Sequence, residues 1–288
     1  MKLYELTQQK ATVETIKLTE GGAMPGVGAI HIDEINPTLV PLEKELGIDL
    51  RNNTLGSVGK REFSGDIDVA LNIETDQIPE FVERLKKSNQ ILDIAKSSVI
   101  MTKVKIQNYD ENKETNVSRT GYVQVDFMPG DPEWLKTYYH SPNEKDSQYK
   151  GVYRNIMIAS IAGEYNIKSS EEKIDDGRPL ESKRFMWSPR DGLVRVLRRP
   201  VPKKSGDGYT KKNNNKIIGG PWKTADSIAK NLGLDNGDDL NSYETLVTAI
   251  RKNMSDEEQK EIFTAFASNN TIQSLGVPPD TQQYNQEL

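Results

Sequence analysis

Two aspartates separated by a single residue, in Asp66-Ile67-Asp68-Val69, alternate with β-branched apolar side chains. Successive side chains of an extended strand point to opposite faces, so Asp66 and Asp68 emerge together while Ile67 and Val69 turn toward a core. Their Cα atoms are then about 7 Å apart. Like charges this close on a rigid strand repel one another unless a cation sits between them. Ligands that are all carboxylate oxygens suit a hard divalent ion, magnesium or manganese.

Nearby glycine motifs say what the segment is not. Gly56-Ser57-Val58-Gly59-Lys60 approaches a Walker A loop, but that loop has four residues between its glycines and Ser or Thr after the lysine; here there are two, followed by Arg61. Gly56-Ser57-Val58-Gly59 also fits the backbone-clamping loop of a KH domain, where a following Asp-x-Asp strand has no role. Gly21-Gly22-Ala23-Met24-Pro25-Gly26-Val27-Gly28 lacks the dinucleotide-binding spacing and follows no clear strand, so it reads as a flexible linker.

Leu55-Gly56-Ser57 followed by Asp66 and Asp68 resembles the active-site strand of the DNA polymerase β-like nucleotidyltransferase superfamily. That superfamily includes poly(A) polymerases, CCA-adding enzymes, oligoadenylate and cyclic-dinucleotide synthases, aminoglycoside nucleotidyltransferases and protein-modifying toxins. Its motif is an apolar strand, Gly-Ser or Gly-Gly, a short helical turn, Asp-x-Asp, and a third acid on a neighbouring strand. For the third acid the chain offers Asp126, isolated in the apolar alternating run Gly121-Tyr122-Val123-Gln124-Val125-Asp126-Phe127-Met128-Pro129. The resemblance covers roughly residues 36–130. Many relatives have Ser-Asp where this chain has Gly65-Asp66 preceded by Ser64, and the arginine-rich motif of the bacterial CCA-adding branch is missing, so no subfamily is indicated.

The resemblance implies that Asp66 and Asp68 bridge two magnesium (or manganese) ions and that Asp126 ligates the one activating the attacking hydroxyl. Gly56 would allow close backbone approach, and Ser57 would offer its hydroxyl and amide to phosphate oxygens. Lys60 and Arg61 are read either as phosphate contacts or as solvated loop charges. Many family members place a lysine of the second domain against the triphosphate; Lys150, with Arg154 one turn later on the same helix face, is the candidate. Catalysis of this kind is positioning plus electrostatics.

Composition narrows the alternatives. The chain of 288 residues has no cysteine and only His31 and His140, so disulfides, thiolate metal sites and histidine-dependent triads are disfavoured and carboxylates are left to carry metal chemistry. With 28% charged residues, no long apolar run and a start, Met1-Lys2-Leu3-Tyr4-Glu5, unlike a signal peptide, the expectation is a soluble cytoplasmic protein without a membrane span. The net charge of −5 conceals an asymmetry: residues 183–223 hold twelve basic and two acidic side chains, a local +10 that leaves −15 for the rest. A positive segment on an acidic chain is the footprint expected for a polyanion, RNA or a nucleoside triphosphate, with Arg195, Arg198, Arg199, Lys203 and Lys204 as the nucleic-acid-binding candidates. Phe185, Trp187, Tyr209 and Trp222 lie among these charges, either to stack on bases or to form core.

The positioning elements follow from periodicity. Asn36-Pro37-Thr38 predicts a helix start with Leu39, Leu42 and Leu46 on one face and Gly47 as its end. A strand at Asn53-Thr54-Leu55 leads to the turn, and the acid-bearing strand runs to Ile73. Helix 77–88, strand 99–106, a polar loop 108–118 and the Asp126 strand come next. Farther on, Glu133-Trp134-Leu135 opens a short helix, 151–161 is an apolar helix, and basic loops alternate with helices at 224–232 and 242–253. The run 224–233 echoes the first half of a helix-turn-helix and fits equally an N-capped helix ended by Gly233. Residues 278–288 read as a polar tail.

This order predicts an α+β protein: residues 1–30 an arm or linker, 31–130 a nucleotidyltransferase-type palm with a small mixed sheet backed by helices, and 131–288 a mainly helical domain. The expected function is metal-dependent transfer of a nucleoside monophosphate from an NTP, with ATP the first expectation, to an acceptor hydroxyl, foremost on RNA, releasing pyrophosphate. A protein side chain, a second nucleotide or a small molecule are other acceptors. A non-catalytic nucleic-acid-binding or assembly protein on the same scaffold is the alternative class, and against it stands the retention of all three acids.

Overall fold

The computed structural model describes residues 24–96, 99–113 and 118–285; most of the expected N-terminal arm lies outside the described residues. The fold is mixed α+β, and the chain divides into two units, Met1–Lys136 and Thr137–Leu288.

The first unit opens with β1 (Ile30–His31) and α1 (Ile32–Leu46), followed by β2 (Phe63–Ser64), β3 (Asp66–Leu71), α2 (Ile78–Lys86), β4 (Ile91–Lys96), β5 (Ile100–Lys105) and β6 (Tyr122–Pro129). Its sheet has the order β3-β6-β5-β4, with β3 parallel to β6 and the other pairs antiparallel. A parallel pair needs a long crossover, and α2, β4 and β5 supply it. Alternation then divides the sheet chemically. Ile67, Val69, Val123, Val125 and Phe127 are buried with Leu39, Leu42 and Leu46 of α1 and Phe81 and Leu85 of α2, leaving the acids to the other face.

Helix α1 is capped by His31, five residues before the predicted Asn36 cap. The imidazole Nδ1 of His31 accepts the Asp33 amide at 3.1 Å while Glu34 accepts the His31 amide at 3.0 Å, forming a reciprocal cap. Glu34 is held in turn by Arg119 at 2.7 Å and by the Asp110 amide at 3.0 Å. The helix carries two prolines, Pro37 and Pro41, in its interior despite their missing N–H groups. The expected strand at 53–55 is a 3-10 turn, Arg51–Asn53, with one bridge from Thr54 to Val69.

The flexible-linker expectation fails for the described part of the glycine-rich run. Met24 and Val27 are buried, the Gly28 amide donates to the Tyr122 carbonyl at 2.8 Å, and the Ala29 amide to the Ser118 carbonyl at 2.8 Å. Gly28 is required by this closeness, since a Cβ there would lie 2.5 Å from the Ser118 oxygen.

The division between the units falls within α3 (Pro132–Tyr138). The second unit contains α4 (Gly151–Glu164), the strands β7 (Lys168–Ser169), β8 (Ser182–Ser188), β9 (Gly192–Pro202) and β10 (Tyr209–Trp222), then α5 (Ala225–Asn231), α6 (Tyr243–Asn253), α7 (Asp256–Ala267) and α8 (Asn270–Leu275). Helical residues outnumber strand residues here, but the segment expected as basic loops is a four-stranded antiparallel sheet, β10-β9-β8-β7. Between α5 and α6 the chain makes a 3-10 turn at Gly237–Leu240, a connection too long for the three- or four-residue turn of a helix-turn-helix. The expected polar tail is docked as far as residue 285: buried Tyr243 donates its hydroxyl to Asp280 at 2.8 Å, and Tyr284 packs on Phe263. Among the described residues, no helix is long and apolar enough to cross a membrane.

Candidate metal centre

In the parallel register of β3 and β6, Asp66 faces Gln124 and Asp68 faces Asp126. Paired residues share a face of the sheet, so one face gathers three carboxylates and a carboxamide. One carboxylate oxygen from each of Asp66, Asp68 and Asp126 lies within 4.8 Å of the other two. The third acid, 58 residues from Asp68 in sequence, is thus its immediate cross-strand neighbour.

The electrostatics follow from the crowding. Burial, then the charges of Asp66 and Asp126, push the Asp68 carboxyl up to about 8. Burial raises Asp126 to about 6; a hydrogen bond from Gln124 opposes the shift and the charge of Asp66 adds to it. Such a set favours either bound protons or a bound cation. The donors fit magnesium or manganese: all are oxygen, three converge, and the crowding that raises their proton affinity is what a divalent ion relieves.

The Gly-Ser turn lies beside Asp68. The Leu55 amide donates to the Asp68 carbonyl at 2.8 Å, and Gly56 has a left-handed φ of +64°. A Cβ on Gly56 would stand 3.7 Å from Asp68 Oδ2, which places this backbone beside the acids. The turn closes through the Lys60 amide on the Ser57 carbonyl at 3.0 Å, so Ser57 and Lys60 belong to one turn, which Arg61 follows.

Lys150 and Arg154 are in the second unit. Lys150 is the exposed N-cap residue of α4. Arg154, expected as a phosphate contact, is 3% exposed; its guanidinium donates from Nε to the Leu240 carbonyl and from Nη1 to the Tyr138 carbonyl at 3.2 Å. Burial lowers its pKa to about 10. It is a structural tie with its donors turned inward.

The basic candidates separate by burial and by pairing. Arg195 lies over the Phe185 ring at 5.7 Å, Arg198 is half-buried, and Arg199 is paired with Glu181, its Nε 2.6 Å from the carboxylate. Lys203 and Lys204, in the β9–β10 turn, are exposed, as are Lys211, Lys212 and Lys216 on β10. Of the aromatic rings, Phe185 and Trp187 are core. Trp187 stacks on Tyr138 and donates to Asn155.

Gln124 was not among the residues the sequence singled out. It is 2% exposed and donates its amide nitrogen to Asp126 Oδ1 at 2.8 Å, while its oxygen accepts the Met24 amide at 2.9 Å. The available signal was a polar residue two positions from the acid in an otherwise apolar strand, hence on the acid's own face. No protein-family model matches this chain, and no curated protein sequence matches it.

Proposed function

We propose that this protein is a divalent-metal-dependent nucleotidyltransferase of the DNA polymerase β-like type, moving a nucleoside monophosphate from a nucleoside triphosphate, ATP first, to an acceptor hydroxyl. The observation that carries this is the convergence of Asp66, Asp68 and Asp126 on adjacent parallel strands beside the left-handed Gly56 turn. In the reaction the acceptor oxygen bonds to the α-phosphorus, the bond to pyrophosphate breaks, and the hydroxyl proton passes to solvent. Divalent ions, when bound, neutralise the triphosphate and lower the pKa of the attacking hydroxyl. Asp66, Asp68 and Asp126 would hold them from a rigid sheet. Gly56 leaves room for phosphate to approach the backbone, and Ser57, Lys60 and Arg61 supply the donors beside it. The exposed lysines of β10 and its turn support RNA as the acceptor, since rows of cations on an acidic chain attract a polyanion.

The test is incubation of the purified protein with magnesium and each labelled triphosphate, in the presence of total RNA and of cell lysate. Label entering an RNase-sensitive product is expected, and Asp68→Asn should reduce it by at least about a hundredfold while leaving the circular dichroism unchanged. Full activity in Asp68→Asn would overturn the proposal. Label in protein instead of RNA would keep the chemistry and change the acceptor.

A further inference from the structure

The buried carboxamide of Gln124 joins two parts of the chain that are a hundred residues apart, the backbone of Met24 and the carboxylate of Asp126. A carboxamide has two ends of nearly the same size, one that donates and one that accepts. The Met24 N–H can only donate, so it draws the Gln124 oxygen toward itself and turns the NH2 group to Asp126. With the amide reversed, a carbonyl oxygen would face the carboxylate and the Met24 donor would face an NH2 group, a loss at both ends. The Met24 segment is itself fixed. Lys103 donates to the Pro25 carbonyl at 3.2 Å, Thr120 to the Gly26 carbonyl at 3.2 Å, and the Gly28 amide to Tyr122. Lys103 is also the β5 residue in register with Gln124.

We infer that Gln124 is a positioning residue for the third acid and that the segment from Met24 to Gly28 sets its orientation, so that this N-terminal strap is part of the metal centre. The inference rests on the metal-centre reading above. One carboxylate oxygen, Oδ1, is tethered by the amide, which restrains the rotation of the Asp126 carboxylate, a group with an oxygen within 4.8 Å of one oxygen each of Asp66 and Asp68. Partners that orient a ligating carboxylate in this way typically change metal affinity by about tenfold to a hundredfold when removed.

The experiment uses the full chain and Mn2+ alone, with binding followed by electron paramagnetic resonance or calorimetry and folding by thermal melting. Gln124→Leu keeps the buried volume and removes both hydrogen bonds; about a tenfold weaker Mn2+ affinity is expected. Gln124→Asn keeps an amide one methylene too short to span both partners and should show the same loss, which covers failure of the leucine variant to fold. Met24→Pro removes the backbone donor together with the buried side chain and should weaken binding, whereas Met24→Ala, which loses the side chain and keeps the N–H, should bind more tightly than Met24→Pro. In an Asp126→Asn background, Gln124→Leu should produce no further loss, because its effect passes through that carboxylate. Wild-type protein that binds Mn2+ no better than Asp126→Asn overturns the metal reading and the inference with it. Wild-type binding matched by both Gln124 variants, or an undiminished Gln124→Leu loss in the Asp126→Asn background, overturns the positioning role alone.

Discussion

At Asp68 the fold holds a carboxyl in conditions that oppose its ionisation, and Asp126 shares the effect in weaker form. Their folded-state pKa values, about 8 and about 6, lie above the ordinary 3.8. The folded chain therefore binds more protons than the unfolded chain between about pH 4 and pH 8, so this contribution to stability declines as pH rises through that window. Below it both states are protonated and the difference vanishes. In chelator-treated buffer the melting temperature should be higher at about pH 5.5 than at about pH 8. That difference should shrink in Asp68→Asn, and saturating magnesium should reduce it in the wild type, because metal competes with the protons. An equal pH dependence in wild type and Asp68→Asn would show that ionisation at this position does not limit stability.

Among the elements, α1 depends most on a partner outside itself. Its first-turn residue Glu34, the capping partner of His31, is almost fully enclosed and takes two hydrogen bonds from Arg119 Nη2, at 2.7 and 2.8 Å. The guanidinium lies 4.7 Å from the Tyr109 ring and 5.5 Å from that of Phe63. Arg119→Met would keep the stem packing and leave the Glu34 carboxylate buried without its charge partner, a change that costs about 3–5 kcal/mol in comparable buried pairs. Urea unfolding should show a loss in this range. A change below about 1 kcal/mol would mean that Glu34 is satisfied by its two backbone amides alone. The same anchoring connects α1, the loop before β6 and β2, the strand that feeds Asp66, so damage here should also lower Mn2+ affinity.

At the scale of the molecule, a negative first unit carries the acids and the second carries a positive sheet. Arg195, Arg198 and Arg199 are occupied by rings, partial burial and Glu181, so the exposed lysines are the better phosphate partners. Changing Lys203, Lys204, Lys211 and Lys212 together to glutamine should weaken RNA binding. It should also flatten the plot of log affinity against log salt by about 0.7 for every single-strand phosphate that no longer has a lysine beside it. An unchanged slope would leave these lysines as solvated edge charges, which also guard a long edge strand against pairing with other chains.

Local patterns determined the parts of this protein that need only their own neighbours. The shared face of Asp66 and Asp68 follows from a period of two, and the helices at 151–164, 225–231 and 243–253 follow from a period near 3.6 with Ser or Thr caps at two of them. The tertiary structure decided what depends on distant partners. Asp126 is beside Asp68 because β6 pairs in parallel with β3 in one register, and a one-residue slip would turn the acid into the core. Arg154 is inward because carbonyls of Tyr138 and Leu240 meet it there. His31 caps α1 because Arg119 holds Glu34, and the basic segment is a sheet because its three long strands satisfy one another's backbone. Burial and register are properties of pairs of segments, and residues such as Met24 and Gln124 acquire their relation only when the chain brings a hundred residues of separation down to one hydrogen bond.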